Sequence, residues 1–387
     1  MKKSMFTFFI IMFVIGMDTF MVSPLLPTLS SLYHIHSNQA TWIVSSYAIG
    51  YAGFALIAGP LSDKLDRKKV MMTGMLAFAI LTILCAFAHT FFLMVLLRFL
   101  SGISASFLTP QVWASIPLIS PKEKIVKNMG YATAGLALSQ MLGLPFGGLL
   151  AGIHWSAPFL FLGIASFLLV VLIYMTIPSL PNQHNNSMSF FSYFSHSYST
   201  VLTNKILLIT LFSYLLFQLA NFTAFSLIGT WLADGYSFNV TQIGASMFAI
   251  GFGNLIGSTQ GSRVVQKIGT QRALLAGLIG IACLYALITV IHSIMYVECI
   301  LFFIFFLAGM ILPLMMSTLQ GIIPSARGTV SSLTNATMNL GISVGSIIGG
   351  SLYVFSHGFL VVSLVCTVLF IFSTFTWKQS FRISSSS

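Results

Sequence analysis

Charge is what this sequence has least of. Of its 387 residues only 6% are charged, and six of these are acids: Asp18, Asp63, Asp66, Glu123, Asp234 and Glu298. Soluble domains carry about a quarter charged residues, so a chain that is 57% hydrophobic cannot fold as a soluble globule. Its solvent is a bilayer. The shortage of acids also argues against a membrane-embedded enzyme, because no acidic pair stands outside the 63–66 segment and no His/Cys constellation offers nucleophiles or metal ligands. The cysteines are few as well. Cys85, Cys283, Cys299 and Cys366 lie in apolar runs without metal-ligand spacing, and they read as packing filler. No metal and no cofactor is expected.

What is there is apolar sequence in long runs. A membrane span needs about 20 such residues, and twelve runs qualify, roughly 5–30, 40–62, 70–88, 91–117, 126–153, 156–177, 205–232, 240–262, 272–291, 294–318, 327–353 and 358–377. The first outlasts the core of a secretory signal and has no small-residue cleavage site, so it reads as a retained span. Lys and Arg fall at Lys2 and Lys3, after the second span, at 122–127, at Lys205, at 263–272, at Arg327, and at Lys378 and Arg382. The alternate connections, at His34, His89, His154, Asp234, His292 and His357, have neither. Basic loops stay cytoplasmic, which places both termini inside a plasma membrane. The net charge of +11 is therefore a topology signal that also favours anionic lipid, and it gives no reason to invoke nucleic acid.

The chain repeats. Residues 178–204 are its one long polar connection and divide the spans six and six, giving an N-terminal bundle over 1–177, a cytoplasmic linker loop over 178–204 and a C-terminal bundle over 205–387. A shift of about 203 residues lays the 62–69 segment over 265–272 and Pro110 over Pro313. One further slip lays Gly147 and Gly148 over Gly349 and Gly350. Two parallel six-span copies describe a secondary transporter that rocks around a midplane site. A channel would repeat its selectivity residues, whereas these halves differ at their charged positions.

The stretch "GPLSDKLDRKK", Gly59 to Lys69, packs six charges into seven positions. It resembles the loop 2–3 signature of the major facilitator superfamily, with Gly59, Leu61, Asp63, Lys64, Arg67 and Lys68 in register and Asp66 where that family usually has Gly. The second copy has Gln266 for the Asp and keeps Gly269. The resemblance covers essentially the whole chain and implies an all-α integral membrane fold of twelve helices in two pseudo-symmetric six-helix bundles, working as a monomer. Gly59 would let the second and eleventh spans approach closely. Asp63 would accept hydrogen bonds from the positive N-terminus of the eleventh, near 324–328, as an inner gate that breaks during the cycle. The basic residues would pair with Asp63 and Asp66.

Two further segments narrow the branch. "LLRFLSGISAS", Leu96 to Ser106, is similar to the family's fourth-helix pattern around an Arg, here Arg98. "GLALSQMLGLPFGG", Gly135 to Gly148, resembles the fifth-helix signature of exporters, in which glycines and a proline pack the halves together. Its Gly143, Pro145, Gly147 and Gly148 spacing is similar to that of arabinose-efflux, purine-efflux and chloramphenicol exporters. Asp18 is the one acid in mid-span, and opposed helix directions bring it near Arg98 around the midplane. The resemblance implies that Asp18 carries a proton and that Arg98 switches it; a static ion pair that orients helices is the plainer alternative. Gln111, Gln140, Gln218, Asn221, Asn254, Asn335 and Asn339 are the polar residues within spans. Each is a candidate either for substrate contact or for a helix-packing hydrogen bond. The expectation is a proton-gradient-driven antiporter exporting a small organic solute, such as a drug, sugar or nucleoside, as multidrug-resistance pumps do. An importer or uniporter of the same fold is the rival.

Overall fold

In hydrocarbon every backbone N–H and C=O must be satisfied within its own segment, so apolar runs of this length become helices. The computed structural model describes residues 2–22, 25–35, 37–40, 42–179, 190–238, 240–291, 293–356 and 358–386, and among them there is no strand. The helices are α1 (Lys2–Met21), α2 (Leu26–Leu32), α3 (Ser37–Ala40), α4 (Trp42–Lys64), α5 (Arg67–Cys85), α6 (Phe91–Ser106), α7 (Thr109–Ile119), α8 (Ile125–Ile153), α9 (Ala157–Thr176), α10 (Phe190–Thr203), α11 (Lys205–Phe225), α12 (Ile228–Tyr236), α13 (Val240–Ile268), α14 (Thr270–Ile288), α15 (Ile294–Ile322), α16 (Arg327–Ser356) and α17 (Phe359–Ser386). Ten of the resulting segments are long and apolar enough to cross a membrane, and α8, bent by 50° around Pro145, makes an eleventh. The expected span 240–262 falls on the 29-residue α13.

Three expected spans are not single helices. The first is divided into α1 and α2, the fourth into α6 and α7, and the seventh into α11 and α12. Pro27 and Pro110 stand in the opening positions of α2 and α7, where a proline's missing N–H costs nothing and an unbroken helix would have needed it. The polar connection 178–204 is also not wholly a loop, since its last part is α10. The segment's Ser, Thr and Tyr content hid a buried face: Ser197 and Val201, four apart on one side of the helix, are buried.

The chain forms two compact units. One comprises 1–122, 138–198 and 323–335, and the other 123–137, 199–322 and 336–387. Relative to the sequence halves, the units exchange the start of α8 and the start of α16. In the first, α4 packs along α6, α5 along α6 and α9, and α1 along α9. In the second, α13 packs along α15, α14 along α15 and α17, and α11 along α17. These are the same pairings moved by one repeat.

Atomic contacts keep that register. Gly50 lies against the Phe99 carbonyl in the first unit and Gly253 against the Phe302 carbonyl in the second, both pairs 203 apart. A hydroxyl pair ties α1 to α9, Thr7 to Thr176 at 2.6 Å, and its counterpart ties α11 to α17, Thr210 to Ser380 at 2.7 Å. Asp66 and Gly269 also correspond, and they start their helices differently. Asp66 has φ −63° and caps α5 with its carboxylate, Oδ1 accepting from the Lys68 N–H at 2.9 Å. Gly269 precedes α14 with no side-chain cap, at φ +82°, a conformation open to glycine. Cys85 and Cys366 are buried filler, whereas Cys283 and Cys299 are exposed, which corrects the packing role expected of those two.

Candidate functional site

Two charged clusters are built inside the first unit. The first centres on Asp18 and Arg98. Asp18 lies three residues before the end of α1 and Arg98 seven residues into α6, so the pair sits about 24 Å along α1. Arg98 Nη1 donates to both carboxylate oxygens of Asp18, at 2.8 and 2.9 Å. Its Nε donates to the Ile43 carbonyl at 3.3 Å, and the guanidinium lies 4.4 Å from the centre of the Tyr47 ring. Asp18 is 0% and Arg98 1% exposed. Ile43 and Leu97 beside the pair belong to an apolar cluster with Val22, Leu25, Leu29, Cys85, Met94 and Phe159. A lone charge in such a place would cost several kcal/mol, and pairing with hydrogen bonds offsets much of that cost without abolishing it. At the corresponding positions the second half has Asn221 and Leu301, so this pair is not duplicated.

The second cluster gathers at Asp63, near the end of α4. Its Oδ1 accepts from the Gly328 N–H at 2.8 Å, and its Oδ2 accepts from the N–H and hydroxyl of Thr329 at 2.9 and 3.0 Å. Gly328 and Thr329 open α16, whose unpaired amides and dipole favour an anion there. Arg67 Nη2 donates to Asp63 Oδ1 at 2.6 Å, and its Nη1 to Gln111 Oε1 at 3.4 Å. Asp63 is 6% exposed and Arg67 8%. The approach requires glycine on both helices. A methyl on Gly59 would stand 2.8 Å from the Gly328 carbonyl, and one on Gly328 would stand 2.7 Å from the Gly59 carbonyl.

Several expected site residues have partners within the protein. Gln111, a candidate for substrate contact or for helix packing, is fully buried and belongs to the Asp63 cluster. Lys68 pairs with neither acid; its ammonium donates to the Tyr174 carbonyl at 2.7 Å and lies over that ring, because α9 ends beside α5. Gln218 is buried and donates to the Tyr214 hydroxyl at 2.7 Å. Asn335 accepts from the Tyr51 hydroxyl at 3.1 Å. Gln140, Asn221 and Asn339 are half-buried, and the Asn254 carbonyl lies against Gly309. Of the exporter-motif residues, Gly143 faces Phe20 and Gly147 the Met21 carbonyl of α1, within one unit, while Gly148 faces open space. The glycines therefore pack α8 on α1, where packing of the halves was expected, and Pro145 marks the bend. No group of three or more His, Cys, Asp or Glu able to hold a metal occurs among the described residues.

Sequence reasoning missed Thr329, whose hydroxyl completes the Asp63 cradle, and Tyr47, whose ring faces Arg98. Tyr47 lies one helical turn past Ile43 on α4, a spacing that becomes meaningful only once Arg98 is seen to reach α4.

A two-fold repeated helical membrane protein with a helix-end carboxylate cradle and a sealed ion pair is of the secondary-transporter class. The sequence matches the Major Facilitator Superfamily over residues 8–346 and 211–382. The chain belongs to that family and is a multi-pass membrane transporter. It is 46% identical to the uncharacterized MFS-type transporter YceJ of Bacillus subtilis, over 95% of this chain and 93% of that one. It is 24% identical to multidrug resistance protein 1 of the same organism, covering 97% and 96%, and 23% identical to the quinolone resistance protein NorA of Staphylococcus aureus, covering 91% and 90%. Two solved structures share the fold. The human organic anion transporter MFSD10 superimposes with a TM-score of 0.84 at 17% identity, covering 97% and 99%, and a variant of the Escherichia coli fucose:proton symporter FucP with 0.80 at 15%, covering 97% and 98%.

Proposed function

We propose that the protein is a proton-coupled exporter of a small organic solute, working by alternating access in the plasma membrane with both termini cytoplasmic. The observation that carries this reading is the Asp18–Arg98 pair, a carboxylate wholly enclosed in a span and held by one basic partner. An acid at such a site is retained against its cost because it does something. Protonation of Asp18 would release Arg98, and return of Arg98 would release the proton. The Asp63 cradle is the inner gate of this reading, because a carboxylate seated on a helix N-terminus is a contact that separation of α4 from α16 breaks as a unit. Export is favoured by the glycine-proline segment of α8 and by relatives named for drug resistance.

The same geometry supports a second reading. Arg98 is satisfied on three sides, by Asp18, Ile43 and Tyr47, as an ion pair that only orients α1, α4 and α6 would be. Counterflow of a substrate panel in inside-out and right-side-out vesicles, with and without an imposed proton gradient, separates these readings. Uphill movement out of the cytoplasmic compartment that collapses with the gradient is the expected result, and movement indifferent to the gradient would leave the pair a structural one.

A further inference from the structure

Pro60 stands inside α4. Proline has no N–H, so the carbonyl four residues earlier, that of Leu56, loses the donor an unbroken helix would give it. A main-chain oxygen in that position takes a partner from elsewhere. Here the partner comes from α10, since the Tyr198 hydroxyl donates to the Leu56 oxygen at 2.6 Å. Phe194, one turn earlier on α10, braces Tyr198 with ring centres 4.8 Å apart, and buried Ser197 and Val201 seat the helix. Burial, with the Asp63 carboxylate adding to it, pushes the Tyr198 phenol above its ordinary value, so the hydroxyl remains a donor at any physiological pH. Leu56 is one to two turns from Gly59 and Asp63. The chain leaves the first compact unit immediately after Tyr198.

We propose that Tyr198 is a positioning residue of the transport cycle, a latch that holds the linker helix α10 on the Pro60-orphaned carbonyl of α4 while Asp63 engages the start of α16. The linker thereby follows the gate helix: with the latch closed α4 is held against α10 beside Asp63, and with it open α4 is free to leave α16. One exposed neutral hydrogen bond is weak enough to be made and broken in every cycle. The latch rests on the gating reading of Asp63.

Hydrogen exchange of the full chain in nanodiscs, followed in peptides from α10, from 327–335 and from remote α17, tests it. Tyr198→Phe should accelerate exchange about two- to tenfold in α10 and in the same direction at 327–335, and leave α17 unchanged. Pro60→Ala returns a helical donor to the Leu56 oxygen, which then shares its lone pairs with Tyr198, so adding Tyr198→Phe to it should accelerate α10 less than Tyr198→Phe does alone. Equal acceleration by Tyr198→Phe in both backgrounds, an unmoved α10, or an α10 response with 327–335 unmoved would each overturn the latch. If Pro60→Ala fails to fold, Tyr198→Trp, which keeps a ring N–H donor, should preserve the protection that Tyr198→Phe loses, and equal loss in the two variants would overturn it. Asp63→Asn isolates the underlying reading: if it leaves 327–335 unchanged, the gate assignment fails whatever Tyr198 does.

Discussion

Among the described residues, each buried charge is confined to a place where a named partner answers it. Asp18 has Arg98, and removing one member strands the other in an apolar cluster, a loss of about 3–5 kcal/mol where a buried pair is broken. Asp18→Asn, which keeps an oxygen acceptor for Arg98 and mimics the protonated carboxyl, should fold with reduced stability, lose uphill efflux and its dependence on the proton gradient, and retain downhill exchange in vesicles. Arg98→Lys keeps the charge but not the planar contact with Asp18, Ile43 and Tyr47, so it should transport less than the wild type and more than Arg98→Ala. An Asp18→Asn protein that still pumps uphill with unchanged pH dependence would remove the proton role. Asp63 is answered by two main-chain N–H groups, the Thr329 hydroxyl and Arg67. Asp63→Asn has only one carbonyl-type acceptor and no charge for the helix end, a term of about 0.3–2 kcal/mol. Transport should fall severalfold with membrane expression intact, and wild-type transport would count against a gate.

Helix by helix, packing rests on small residues placed once per repeat. Gly147 lies on the Met21 carbonyl and Gly349 on the Thr223 carbonyl, whereas their chain neighbours Gly148 and Gly350 face open space. Backbone cannot yield as a side-chain tip can, so Gly147→Ala and Gly349→Ala should each destabilise by about 1–3 kcal/mol. Gly148→Ala and Gly350→Ala should be neutral. Thermal unfolding in detergent reads the difference, and equal shifts within a pair would contradict the geometry. The start of α5 allows the complementary test. Asp66→Ala removes a side-chain cap worth about 1 kcal/mol, while Gly269→Ala forces a methyl onto an extended positive-φ backbone (φ +82°, ψ 158°) that is essentially confined to glycine, at about 1–3 kcal/mol. The same step in the repeat is thus vulnerable for two different reasons.

At the scale of the molecule, orientation follows from where Lys and Arg lie. In a cysteine-free background, His89→Cys should be labelled by an impermeant maleimide on intact cells and Lys124→Cys only after permeabilisation; the reverse pattern would invert the topology. Composition and spacing determined the membrane class, the twelve apolar runs and the 203-residue repeat, and made Asp18 conspicuous because hydrocarbon allows few charges; the family resemblance of the Gly59–Lys69 and Leu96–Ser106 segments singled out Asp63 and Arg98. The breaks in the first, fourth and seventh spans and the helix within 178–204 were not legible, since apolar content hardly distinguishes one long helix from two short ones and a segment rich in Ser, Thr and Tyr hides the face it buries. Only tertiary structure decided that Gln111 serves Arg67, that Gly147 packs on α1, that Lys68 turns to Tyr174 and that Tyr198 reaches Leu56. Each is a contact between residues from about 45 to over 140 apart in the chain, and an amide, a glycine or a phenol looks the same in sequence whether it meets substrate, a neighbouring helix or the carbonyl a proline has left without its donor.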